Sequence, residues 1–215
     1  MKNLLQGIEL TTDPALIKRN SWLVVLTFFI MSVLYLWSNH FPHIDVAQNA
    51  LALDQQIPFM SWTITIYWAV LLVAFSGALM IRNIKHLHIV LVINAITFLI
   101  NFFIWFNFPV VYRGDNIIME HSVSGVNRDL FLILYYFDSP ANSFPSGHVS
   151  LMCLVAWVGY SLKSYAGYII LLISALGVLS VFTTRQHTII DAVGGLLTVL
   201  LAVVIVRSFF KKLPG

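Results

Sequence analysis

The run TIIDAVGGLLTVLLAVVIVRSFF, from Thr188 to Phe210, decides what fold this chain can have. No charge interrupts it between Asp191 and Arg207. A helix that crosses the ~30 Å hydrocarbon core of a bilayer needs roughly 17–25 predominantly apolar residues, and this run supplies them. Similar runs precede it: Ser21 to Ser38, Trp62 to Ile81, Ile89 to Phe106, and Tyr165 to Phe182. A shorter one, Val149 to Leu162, becomes long enough if its helix starts near Pro145, because proline is well placed in a first helical turn. The sequence therefore predicts an all-α integral membrane protein of six transmembrane helices, at about 21–38, 62–81, 89–106, 147–162, 165–182 and 188–210.

Composition excludes the soluble alternative. Of 215 residues, 59% are hydrophobic and only 10% charged, against about a quarter charged in soluble domains. The length leaves room for one membrane domain over 1–215 and no second sizeable soluble one. Repeats and low-complexity tracts are lacking, and no nucleic-acid partner is expected. The first twenty residues include Glu9, Asp13, Pro14, Lys18 and Arg19 with no continuous apolar core. A cleaved signal peptide is thus not expected, and the first helix acts as its own insertion signal. Cys153 is the only cysteine and reads as a small buried hydrophobe.

Charge sets the orientation. With both termini cytoplasmic, the inner segments hold Lys2, Lys18, Arg19, Arg82, Lys85, Lys163, Arg207, Lys211 and Lys212. The outer segments hold only Arg113, Arg128 and Arg185, beside Asp45, Asp54, Asp115, Glu120, Asp129 and Asp138. That asymmetry follows the positive-inside rule and favours six spans over five or seven. Two outer stretches, Asp45 to Phe59 and NRDLFLILYYF from Asn127 to Phe137, are too short or too mixed to span and read as interfacial segments or plain loops. Arg207, Lys211 and Lys212 face the inner leaflet. Trp22, Trp37, Trp62, Trp68 and Trp105 read as interface belts, and Asn94 and Asn101 as bonds between helices. The modest size points to a bacterial inner (plasma) membrane.

Two stretches on the outer side carry chemistry: Phe144-Pro145-Ser146-Gly147-His148, and Thr184 to Gly195 with Arg185, His187 and Asp191. On a helix, His187 and Asp191, four residues apart, share one face. A carboxylate accepting the Nδ1 hydrogen of an imidazole leaves Nε2 free as nucleophile or base. An acid inside a spanning segment is costly and points to function. Arg185 offers a planar fork suited to phosphate oxygens. Ser146 and Gly147 stand at a helix start, a natural anion site, and His148 can protonate a leaving alkoxide. Arg113 is a further candidate for phosphate, although an outer-loop arginine can simply be solvated. His40/His43 and His86/His88 form pairs, but the inner pair has no cysteine and no nearby acid, so no metal is expected.

PSGH followed by a downstream Arg, His and Asp resembles the type 2 phosphatidic acid phosphatase superfamily. The resemblance implies a six-helix enzyme acting on lipid phosphates without metal or other cofactor. It further implies that His187 is a nucleophile forming a phosphohistidine, oriented by Asp191. His148 would then be the acid, with Arg185, Ser146 and Gly147 as phosphate ligands. The third motif of that superfamily usually has five residues between Arg and His, where this chain has only Gln186. Phe108 to Gly114 contains Arg113 but lacks the lysine of the first motif. The short Arg-x-His-x-x-x-Asp form, with Ile57-Pro58-Phe59 and Trp62 upstream, is closer to the branch of sphingomyelin and inositol phosphorylceramide synthases. Hydrolysis of a lipid phosphate and transfer of a phospho-headgroup to a lipid alcohol both remain open. A transporter whose His and Asp relay protons is the non-enzymatic alternative.

Overall fold

The computed structural model describes residues 4–40, 46–47, 50–111, 121–138 and 142–210. Its architecture is helical. In chain order come α1 (Pro14–His40), α2 (Ala52–Gln56), α3 (Ile64–Leu79, entered through a 3₁₀ turn at Ser61–Thr63) and α4 (Ile84–Asn107). They are followed by α5 (Gly125–Phe137), α6 (Gly147–Leu162), α7 (Tyr165–Thr183) and α8 (Ile189–Phe210). Val46–Ala47 pairs in parallel with Val110–Val111.

Five stretches, Pro14–His40, Ser61–Leu79, Ile84–Asn107, Tyr165–Thr183 and Ile189–Phe209, are long and apolar enough to cross a membrane. The apolar α6 has only 16 residues, about 24 Å at 1.5 Å per residue. The burial pattern is inverted relative to a soluble bundle. Phe29, Leu72, Phe103, Leu172, Leu197 and Val204 are exposed, while Asn20, Thr97, Asn101, Ser150, Ser174 and Thr198 are buried. Lipid tails welcome leucine as well as a core does, so helix contacts in bilayers go instead to small and hydrogen-bonding residues. This is a multi-pass, all-helical membrane protein.

Two helices start earlier than the apolar runs suggested. Asp13 Oδ1 accepts the Ala15 amide at 2.9 Å, just ahead of Pro14 in the first turn, so α1 begins seven residues before Ser21. Asn83 caps α4 by accepting from Lys85 N at 2.9 Å. Hydropathy sees where the lipid begins; capping decides where the helix does.

The short helix is the central one. α6 packs against α3, α4, α7 and α8, whereas α1 lies on α3 and α4. Non-helical backbone ahead of α6 is tolerable because protein surrounds it. Asn101 Nδ2 donates to Ser150 Oγ (3.1 Å), joining α4 to α6, and Asn94 Nδ2 reaches Met31 Sδ (3.4 Å), joining α4 to α1. Both asparagines therefore act between helices, as expected. Asn20 Nδ2 donates to the Leu79 and Ile81 carbonyls, both at 2.8 Å, and satisfies the end of α3. An apolar cluster of Ile64, Val70, Phe131, Met152 and Val181 forms a floor at the end of the bundle where α6 and α8 begin. The Asn127–Phe137 stretch is helical, as part of α5; it packs on α3 through Phe131 and Leu134 and leaves Val126, Tyr136 and Phe137 exposed.

Candidate active site

The site is built where α7 ends, α8 begins and α6 begins. Thr184 closes α7, and Arg185 takes a left-handed conformation (φ +58°) that turns the chain. The amides of Gln186 and His187 both donate to the Val181 carbonyl, at 3.0 and 3.2 Å. Thr188 and Asp191 then cap α8 reciprocally: Thr188 N donates to Asp191 Oδ2 (2.8 Å) and Asp191 N to Thr188 Oγ1 (3.4 Å). Such a capping box satisfies two amides that a helix start leaves without partners. A third, Ile189 N, donates to Asp54 Oδ1 at 2.8 Å.

This local structure corrects one expectation. His187 precedes the helix and does not share a helical face with Asp191. Its Nδ1 lies 3.7 Å from Asp191 Oδ2, beyond hydrogen-bond length, and instead pairs with the Ser143 carbonyl at 3.1 Å. The physical reason is the cap: the Thr188 amide already occupies Asp191 Oδ2. A carbonyl only accepts, so Nδ1 carries the hydrogen and the neutral ring keeps its lone pair at Nε2. The chemical outcome foreseen for Asp191 is thus delivered by Ser143, and Asp191 contributes a fully buried charge alongside. Among the described residues its Oδ1 has no hydrogen-bond partner.

The opposite wall is the Phe144–His148 segment. Ser146 is fully buried and caps α6, accepting Val149 N at 3.2 Å. Its own amide donates to the Asp191 carbonyl (3.0 Å), which ties the two motifs together. Trp105 Nε1 donates to the Pro145 carbonyl at 3.0 Å from beneath. Trp105 is therefore a buried prop rather than a belt residue, whereas Trp22 and Trp62 are exposed. The approach is close because Gly194 and Gly195 lack side chains. A Cβ at Gly194 would lie 2.5 Å from the Phe144 ring, and one at Gly195 2.5 Å from the Ser146 carbonyl oxygen. The first turn of α6 then brings His148 to His187, with ring centroids 5.9 Å apart.

Other candidates are placed differently from expectation. Arg185 gives Nη1 to the Asp54 carbonyl (3.1 Å) and Nη2 to the Ile57 carbonyl (2.9 Å), so it braces the Asp54–Phe59 segment. Gly147 packs against the Trp105 ring, which a Cβ would meet at 3.1 Å. Arg113 lies outside the described residues, as do Asp45, Asp115 and Glu120.

Three residues escaped the sequence reading. Tyr67 of α3 is buried, and its hydroxyl lies 2.9 Å from His148 Nδ1. Asp54 is buried as the second cap of α8 rather than solvated. Asp138, just past α5, accepts from Tyr35 OH (2.5 Å) and Asn39 Nδ2 (3.1 Å) and lies within electrostatic reach of His187. Burial pushes the Asp138 carboxyl above the usual carboxylate range, partly offset by the hydrogen bonds from Tyr35 and Asn39. In the sequence Asp54 and Asp138 stood only among the acids of the outer segments, and no local pattern marks either. Among the described residues no cluster of three or more His, Cys, Asp or Glu forms a metal site.

The chain matches no known protein-family profile, no curated protein and no solved structure.

Proposed function

We propose that this protein is a membrane phosphoryl-transfer enzyme that cleaves a lipid phosphate ester at the outer membrane face through a phosphohistidine. In this reading α6 completes a set of six spans, both termini are cytoplasmic, and the membrane is a bacterial inner membrane. The charge asymmetry of the loops supports that orientation. The observation that carries the chemistry is the pairing of two histidines, one with its Nε2 lone pair freed by the Ser143 carbonyl, across a gap of 5.9 Å between ring centroids. A phosphorus atom and its leaving oxygen are one bond apart, so both rings can reach a single ester.

His187 Nε2 attacks phosphorus, the bond from phosphorus to the ester oxygen breaks, and the leaving alkoxide takes a proton from His148. The buried Asp191 charge steadies the cationic ring of the phosphohistidine. An incoming hydroxyl then gives its proton to His148 and attacks phosphorus. The P–N bond breaks, and His187 is restored. With water as acceptor the reaction is hydrolysis; with a lipid alcohol it is headgroup transfer. Arg185 acts by its charge and by bracing the Asp54–Phe59 wall.

The test compares purified wild type and His187→Ala in detergent micelles with no added metal. One arm follows phosphate release from phosphatidic acid. The other follows headgroup transfer from phosphatidylcholine to a fluorescent diacylglycerol. Wild-type turnover in either arm should fall by roughly a thousandfold or more in the variant, the usual scale for loss of a nucleophile. Turnover that survives the substitution, or is missing from both arms in wild type, overturns the reading.

A further inference from the structure

We propose that Tyr67 is the positioning residue of His148, an assignment that rests on the phosphoryl-transfer reading and deepens it. Tyr67 is 1% exposed and is held on the apolar floor among Ile64, Val70 and Met152. Its phenol ring lies over the imidazole of His148, centroids 4.3 Å apart and tilted by 35°. Its hydroxyl reaches Nδ1 at 2.9 Å. Stacking fixes the plane of the imidazole and the hydrogen bond fixes its rotation, so Nε2 is the nitrogen left for chemistry.

The two histidines thus have partners of different kinds, each suited to a different task. His187 must present a lone pair, and a carbonyl, which only accepts, secures that. His148 must release a proton from Nε2 and later regain one. As the imidazolium it donates from Nδ1 to the Tyr67 oxygen. After Nε2 passes its proton to the leaving alkoxide, Nδ1 keeps its hydrogen and the same bond persists. When Nδ1 is bare, the hydroxyl donates instead. A neutral hydroxyl therefore holds the ring in every state and, unlike a carboxylate, does not bind the proton at Nε2 by charge. Among the described residues, the charged and titratable groups around the pair are His187 and Asp191 at the start of α8, Tyr35 of α1 and Asp138 after α5. The Tyr35 hydroxyl bonds Asp138.

The experiment uses the full chain in micelles, with phosphatidic acid and phosphatidylcholine as probes, and compares wild type with Tyr67→Phe. Nitrogen NMR of histidine-labelled protein is recorded in parallel, with signals assigned by single-histidine substitutions. Turnover number should drop roughly ten- to a hundredfold, the scale on which an imidazole's orienting partner acts, with KM unchanged within about a factor of two. The ring signals of His148 should shift while those of His187 stay. Unchanged kcat, a change confined to KM, or an unmoved His148 signal overturns the assignment. Should wild type turn over neither lipid, the phosphoryl-transfer reading falls by itself, and the His148 signals alone decide whether Tyr67 sets that ring. Meta-fluorotyrosine at position 67 keeps the ring and the hydroxyl. It gives the same NMR readout should the phenylalanine variant fail to fold.

Discussion

At the scale of single residues, Asp191 illustrates how one carboxylate is claimed by two neighbours. Its Oδ2 accepts the Thr188 amide, leaving the His187 ring 3.7 Å away and bonded elsewhere. The charge still acts at that distance in a fully buried setting, where effective dielectric is low. Asp138 is the second acid near the ring and has a pH signature. Its carboxyl titrates above the usual range because burial disfavours the charge. The folded protein then holds that proton to higher pH than the unfolded chain does. Its contribution to stability must fall as pH rises from about 4 through the raised value, and stay at a constant cost above it. Asp138→Asn keeps an oxygen for Tyr35 and Asn39 but removes the titration. Melting curves across that range should show the variant gaining on wild type as pH rises. A difference that does not change with pH contradicts the assignment.

At the scale of elements, the site depends on how closely α8 approaches the start of α6. The contact is made of Gly195 against the Ser146 carbonyl and Gly194 against the Phe144 ring. Backbone cannot move aside as a side chain can. Gly195→Ala should therefore cost about 1–3 kcal/mol through overpacking, more than Gly194→Ala, whose clash falls on a ring that can turn. Gly195→Ala should also lower activity, because Ser146 is the cap from which His148 is placed. Thermal stability in detergent together with the turnover assay checks the order. Equal effects of the two alanines would show that the helices separate as rigid bodies.

At the scale of the whole molecule, thiol labelling reads the orientation. A Cys153→Ala background removes the only native thiol. In it, Asp129→Cys on the exposed face of α5 should react with a membrane-impermeant maleimide on intact cells, whereas Lys163→Cys, between α6 and α7, should react only after permeabilisation. The reverse pattern would put the histidine pair on the cytoplasmic side, and equal labelling of both would remove α6 as a span. The exposed Val126, Tyr136 and Phe137 of α5 suit a headgroup interface, where aromatic rings are at home.

What the sequence determined by itself is the solvent and the order of the helices. Runs such as Thr188–Phe210 have no stable place in water, and their lengths match a bilayer whatever their neighbours do. The two polar motifs stood out for the same reason, since His187 and Asp191 are expensive beside lipid. Only tertiary structure decided which atoms meet. Ser143 reaches His187 from 44 residues away and Tyr67 reaches His148 from 81. Asp54 caps a helix 135 residues later. No local pattern encodes such pairs, because each follows from which helices pack together. Trp105 shows the same limit: near the end of an apolar run it reads as a belt residue, yet packing of α4 against α6 turns it into the support of Pro145.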